Sequence, residues 1–465
     1  MKLARPVSLA VALIGLSAAT SALLPRRLAA DDFSFHEAGA RAASLGGAFT
    51  GRADDAATLF YNPAGLAFLG GFRFKTNIIL GNRTTSATWP GGGPTYRSDP
   101  FEILGGHALS WQPVRRVTVA TGLFPAAGFD SLWNPIWGGR TASLRSELDI
   151  RSFRTAVAVE VVKDFAVSAG LDVVTSNLAW NYKILFDLPN YPLPEPYAIE
   201  SRLTLKGQSV GFVAGALWKI VPAVQVGASY RGAVGIDLSG NDTFAYSSTG
   251  GGLVPGPEGH PEYVYDLLRR FYKNQSFTAR LTLPREIACG VALTPFWRIS
   301  LCADIVWTRW SEFGEWTFRS VSADDELSPN WTQIYEDFYG IGPDYGTQGV
   351  PFALEDTKRI KAGLEFRPSK TIAVRVGYAR HESSVSAADR TPVYPDLARD
   401  VFSLGFGYEG PVFSIWRNDE RIADLSFDAF ARYATAKPGE STYPGFEMTY
   451  SSKRFVWGVG VGFCF

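Results

Sequence analysis

Side chains able to do covalent chemistry are sparse in this chain. Histidine occurs four times, at 36, 107, 260 and 381, without a spacing that converges on a metal ion. His107 and His381 could serve a hydrolase that uses Ser, His and acid groups, but no nucleophile motif accompanies them. No Gly-Lys-Ser/Thr phosphate loop is present, so no nucleotide is expected to drive work. These residues predict no enzyme, no metal and no cofactor. Residues suited to binding are better represented. In PEYVYDLLRRFYKN, Val264, Leu267, Leu268 and Phe271 recur at helical spacing. Arg269, Arg270 and Lys273 lie beside them and could hold a carboxylate. Residues 183–199 read as a loop and carry Leu185, Phe186 and Leu188. In SPNWTQIYEDFYG, Ser328 suits an N-cap and Pro329 the first helical position, after which Trp331, Ile334 and Phe338 line one side. Such apolar patches either capture a ligand or pack on one another as a roof.

The elements that must position these residues are strands. Composition sets the frame: 45 basic and 45 acidic side chains leave no basic excess for a nucleic acid. Aromatics at 14% with charged residues at only 19% exclude a disordered chain. Residues 1–30 read as a secretory signal peptide: Lys2 and Arg5, an uncharged run from Val7 to Leu24, then Ala29-Ala30. A membrane anchor is the competing reading. Cleavage after Ala30 would leave 41 basic against 45 acidic side chains, a net charge of −4. No later run is long and apolar enough for a spanning helix.

Beyond residue 70 the chain alternates apolar with polar or small residues, the period of a strand. Val224, Val226, Ala228 and Tyr230 oppose Gln225, Gly227, Ser229 and Arg231. Fourteen such segments are expected: 72–81, 102–112, 115–125, 149–162, 164–182, 200–220, 223–238, 276–295, 298–309, 356–367, 371–382, 400–409, 422–436 and 452–465. Connections after even-numbered segments are mostly tight, and those after odd-numbered ones are long. That sorting predicts an all-β fold, a 14-stranded antiparallel transmembrane β-barrel of the outer membrane with short periplasmic turns. The last segment supports it: Phe455, Trp457, Val459, Val461, Phe463 and Phe465 form one large apolar face, which suits lipid and not water. Asp172, Arg231, Asp304, Lys361, Glu365, Arg367, Arg375 and Asp428 fall on opposite faces, and their charge predicts a lumenal position. Cys289 and Cys302 fall on opposite faces of neighbouring segments, so no disulfide between them is expected, and Cys464 makes the count odd.

Residues 31–70 do not alternate, and small residues dominate them. Forty residues ahead of the first strand could hang in the periplasm or fold into the lumen. Here AGARAASLGGAFTGRADDAATLFYNPAGLAFL resembles the amino-terminal region of the FadL/TodX family, outer-membrane transporters of long-chain fatty acids and other hydrophobic compounds. GLFPAAGFDSLWNPIWGGR and KGQSVGFVAGALWKIVPAVQVGASYRGAVGIDLSG extend the resemblance along the mature chain.

The resemblance implies an N-terminal hatch at 31–70 plugging a barrel formed by 71–465. Its function would be passive uptake: capture of an apolar molecule outside, a pocket against the hatch, and sideways exit near a kink in strand three. Asn62, Pro63 and Ala64 match the family's Asn-Pro-Ala hatch motif; a plain structural turn is the alternative, since Pro63 fixes its own φ and restricts Asn62. Gly122, Pro125 and Gly128 are candidates for the interrupted strand. Expected partners are hydrophobic small molecules, outer-membrane lipid and lipopolysaccharide, and the barrel-assembly machinery, with no nucleic acid and a monomeric protein. A scaffold subunit of a secretion machine and a general diffusion porin are the alternatives. Peptide mapping without reductant should recover no Cys289–Cys302 bridge; finding one would overturn the strand register.

Overall fold

The computed structural model describes residues 38–186, 197–246, 253–255, 261–272, 274–314, 316–320, 348–350, 353–413 and 421–465. The leader predicted at 1–30 lies outside them. Fourteen antiparallel strands form the wall: β1 (Phe72–Thr88), β2 (Phe101–Val114), β3 (Val117–Leu132), β4 (Arg145–Val162), β5 (Phe165–Phe186) and β6 (Tyr197–Val221). They continue with β7 (Val224–Arg231, then Val234–Tyr246), β8 (Gln275–Leu283, then Glu286–Phe296), β9 (Ile299–Thr308) and β10 (Thr357–Phe366). The last four are β11 (Ile372–His381), β12 (Arg399–Phe413), β13 (Arg421–Ala436) and β14 (Thr449–Cys464). Each strand pairs with its chain neighbours, and β14 closes on β1 from Arg73 opposite Cys464 to Thr88 opposite Thr449. The β14–β1 pairing closes the sheet, so neither the first nor the last strand is left as a free edge. No helix among the described residues is long and apolar enough to cross a membrane.

All fourteen expected segments are strands. β5 and β6 extend further than the alternation suggested, to Phe186 opposite Tyr197, so Leu185 and Phe186 lie in a strand and not in a loop. Tight turns join the strands at one end, with Arg116 and Asp164 in the left-handed region at φ 73° and 64°. Outward side chains along the wall are apolar and exposed, among them Val157, Leu171, Phe212, Phe455 and Trp457. They form the lipid face. Cys289 is exposed on this side while Cys302 is buried on the other, and both are free.

The lumen of a fourteen-stranded wall is too wide for wall side chains alone to fill. Residues 38–71 fill it. Helix α1 (Ala40–Ser44) packs against β1 and β11–β14. Helix α2 (Thr58–Tyr61) and a 3₁₀ turn (Pro63–Phe68) cross to β3–β6. The wall meets this segment with glycines. A Cβ on Gly227 would lie 2.2 Å from the Thr50 carbonyl oxygen, and one on Gly377 would lie 2.1 Å from the Gly46 nitrogen. Gly106, Gly215, Gly290 and Gly363 face the segment at similar range. Glycine is needed at these sites because two backbones approach without room for a side chain.

Replacing Gly227 with Val should therefore unseat the segment while leaving the wall intact. Expected results are faster proteolysis within 38–71 and unchanged heat-modifiable mobility of the barrel. Equal protection in wild type and variant would contradict the close packing.

Candidate functional site

Three features of the lumen can act on a ligand: an ionic clamp on the inner segment, an apolar cluster above it, and a break in the wall.

The clamp explains the inward charges. Arg375 bridges Glu365 and Asp428, each at 2.6 Å, and Lys75 reaches Asp428 at 2.5 Å. The inner segment inserts its own cations into this network. Arg52 pairs with Glu365 at 2.7 Å, Arg41 pairs with Asp54 at 2.9 Å, and Arg41 lies 3.5 Å from Glu365. Burial pushes the Asp55 carboxyl above its usual range, against the pull of Lys75 at 3.6 Å. Asp304 accepts the backbone N–H groups of Phe49 and Thr50, both at 2.7 Å. Arg154 pairs with Asp172 at 2.6 Å and donates to the Phe60 carbonyl at 2.9 Å, holding the end of α2. Asp172, Asp304, Lys361, Glu365, Arg375 and Asp428 are thus buried inward, as their faces predicted. Sequence reasoning missed their partners Arg41, Arg52 and Asp54. A run of small residues broken by isolated charges was the available signal.

Asn62 is fully buried. Its side chain accepts from the Ala64 N–H at 3.2 Å and donates to the carbonyls of Thr50 and Ala216, each at 3.0 Å. Pro63 opens the 3₁₀ turn, where its missing N–H costs nothing. The motif therefore ties two parts of the inner segment to β6.

Above the clamp, polarity inverts. β6 turns Leu203 and Leu205 inward and Arg202, Thr204 and Lys206 outward. β7 and β8 do the same after interruptions at Gly232-Ala233 and Pro284-Arg285, which shift each strand's phase by one residue. Ile236, Leu238, Leu281 and Leu283 become inward and buried. Together with Phe129, Leu148, Ile150 and Tyr394 they form one apolar cluster that continues down to Phe49 and Phe60. The alternation alone points to a charged interior and does not predict this lumenal apolar cluster. The phase shifts were its signal.

The wall breaks between β2 and β3. Their register ends at His107 opposite Leu123. Beyond it, Phe101–Leu104 pair with β1 only, and Pro125–Leu132 pair with β4 only. Ala126 is the extra residue of a bulge between Pro125 and Ala127, and Gly128 follows with φ 155°. Pro125 supplies no N–H for a ladder. Phe124 points inward at this level, buried, with its ring 5.3 Å from that of Phe60. The interrupted strand thus contains Gly122, Pro125 and Gly128. At the rim, Trp133 stacks on Trp137 at 4.4 Å within a cluster that includes Ala87, Leu144 and Tyr450.

The expected capture residues are scattered. Leu185 is partly exposed at the end of β5. Val264 and Leu268 on α3 (Val264–Phe271) are fully buried, so this part of the outer face packs inward. Leu267, Arg270 and Phe271 lie on the same helix. The exposed Arg269 sets its guanidinium over the Tyr246 ring, 5.8 Å from the centroid. Leu188, Lys273, Trp331, Ile334 and Phe338 lie outside the described residues.

A closed, lipid-faced barrel with an occupied lumen and a lateral break defines an outer-membrane barrel of the transporter class. A family profile described as "Outer membrane protein transport protein (OMPP1/FadL/TodX)" matches residues 27–465, so the chain belongs to that family and is an outer-membrane protein. The family is one of transporters. A Pseudomonas aeruginosa FadL homologue superposes with a TM-score of 0.74 at 19% identity, covering 94% of this chain and all of that one. The P. putida toluene transporter TodX gives 0.67 at 14% identity, covering 93% and 99% of the two chains. The Ralstonia pickettii toluene transporter TbuX gives 0.62 at 15%, covering 92% and 99%. At such identities the likeness concerns the fold. No curated protein matches the sequence.

Removing one partner from the clamp should be costly. Arg375→Leu takes the shared cation from two buried carboxylates that keep Arg52 and Lys75, an expected loss of roughly 1.5–3 kcal/mol. Denaturant titration of the refolded barrel measures it, and a loss below about 1 kcal/mol would show the pairs to be solvent-screened.

Proposed function

We propose that this protein passes hydrophobic molecules, long-chain fatty acids or hydrocarbons, through the outer membrane without energy input. Residues 31–70 serve as the hatch, after removal of a signal peptide at 1–30. Apolar molecules are captured at the outer loops, move down the apolar cluster, and leave sideways through the β2–β3 break into the membrane. The protein acts as a monomer.

One observation carries this reading: the apolar cluster and the wall break share Phe124 and Phe129, and the Phe124 ring lies 5.3 Å from that of the hatch residue Phe60. A water-filled channel for polar solutes has no use for an apolar interior, and the seated hatch obstructs an open pore. An apolar solute has the opposite need, since leaving water for such a surface yields roughly 25 cal/mol per Å². Sideways exit also spares it the charged clamp below. The toluene transporters TodX and TbuX share the fold, which supports aromatic hydrocarbons as one substrate class to test.

Deleting Ala126 removes the bulge yet keeps the alternation, because Pro125 and Ala127 already lie on opposite faces of β3. The deletion should draw β3 toward β2. Uptake of radiolabelled oleate or toluene by cells expressing the deletion should fall at least tenfold, with the barrel still heat-modifiable. Undiminished uptake of both would remove the lateral route.

A further inference from the structure

The outer surface of β4, β5 and β6 changes character along a level line. Phe153, Val173 and Val210 sit side by side in register, point outward, and are exposed and apolar. Below them, toward the tight turns, the next outward row is Thr155, Leu171 and Phe212. Above them, the next row is Arg151, Thr175 and Gln208, and the one after is Asp149, Asn177 and Lys206. All three strands therefore cross from apolar to polar at the same height. The outward run from Val161 to Phe153 spans about 26 Å along the strand at roughly 3.3 Å per residue. Allowing for strand tilt, that is close to the height of a lipid-facing band. The polar rows begin where hydrocarbon ends and headgroups begin.

A cavity of about 660 Å³ opens there, lined by Glu147, Asp149, Arg151, Asn177, Lys206 and Gln208 among others. That volume lies in the range of ligand sites. Its lining holds both kinds of partner that a phosphorylated sugar requires. Arg151 and Lys206 supply cationic donors for phosphate oxygens. Carboxylates and side-chain amides supply acceptors and donors for hydroxyl groups. Arg151 is already oriented by Asp149, at 3.0 Å from its Nε, which leaves the other guanidinium nitrogens for a ligand.

We propose that this cavity is a binding site for the phosphorylated sugar headgroup of an outer-leaflet glycolipid, with the acyl chains lying on Phe153, Leu171, Val173, Val210 and Phe212. The site lies on the outside of the wall and is independent of any solute passing through the lumen. It would hold β4–β6 at a fixed depth in the outer leaflet.

The test is native mass spectrometry of the full chain released from nanodiscs containing bisphosphorylated lipid A, dephosphorylated lipid A or phosphatidylglycerol. One bisphosphorylated lipid A per barrel should be retained. Retention should fall at least tenfold in the double variant R151Q/K206Q and also with dephosphorylated lipid A. The control K437Q/K453Q, which removes two exposed outer-end cations elsewhere, should retain the lipid. Heat-modifiable mobility reports that each variant is folded. Equal retention by R151Q/K206Q and wild type would overturn the site. So would equal retention of phosphatidylglycerol, or displacement of lipid A by millimolar inorganic phosphate, which would point to free anion as the ligand.

Discussion

Fourteen hydrogen-bonded strands satisfy every requirement of a membrane wall except one: they enclose more space than their inward side chains can fill. The protein resolves this with its own amino-terminal segment, and the rest of the structure follows from seating it. The segment presents backbone to the wall, so the wall must present glycine. It also carries orphaned backbone groups into a space shielded from bulk water: Asp304 accepts from the Phe49 and Thr50 N–H groups, and Asn62 donates to the Thr50 carbonyl. An unsatisfied buried donor would cost about 1–3 kcal/mol each. The charges that line the lower lumen are not a solvated filling. They are the sockets into which Arg41 and Arg52 fit.

This division of labour separates the lumen into two regions. Near the tight turns it is ionic and closed. Toward the long loops it is apolar, because β6, β7 and β8 reverse which face is polar. A strand that crosses from membrane to the outer space must make such a reversal, since its outward face leaves lipid for water. The bends at Gly232-Ala233 and Pro284-Arg285 accomplish it in two neighbouring strands at once. The wall break lies at the meeting of these regions, where Pro125 withholds a ladder donor and the bulge at Ala126 turns β3 from β2.

Much of the fold was legible in the sequence because a period of two is a direct physical consequence of lipid on one side and a lumen on the other. Strand number, closure, the lipid-facing row ending at Phe455 and Trp457, and the inward charges all follow from it. Strand ends were less legible. Once β5 and β6 rise above the membrane, nothing stops their pairing until the chain turns, so Leu185 and Phe186 belong to a strand. The site was only partly legible. Gly122, Pro125 and Gly128 stood out because each weakens a strand locally. The partnership of Arg52 with Glu365, 313 residues apart, has no local signature. The apolar cluster was hidden by reading each strand as having a single phase throughout.

The proposed function requires that an apolar molecule be held against the apolar cluster above residues 38–71. It is tested most directly by native mass spectrometry and lipid extraction of the detergent-purified chain, beside a variant lacking the hatch and beginning at Gly71. A bound fatty acid or hydrocarbon is expected in the intact protein and should be lost from the truncated one. Absence of any such ligand from the intact protein, together with ready conductance of small polar solutes, would contradict it and leave a diffusion pore.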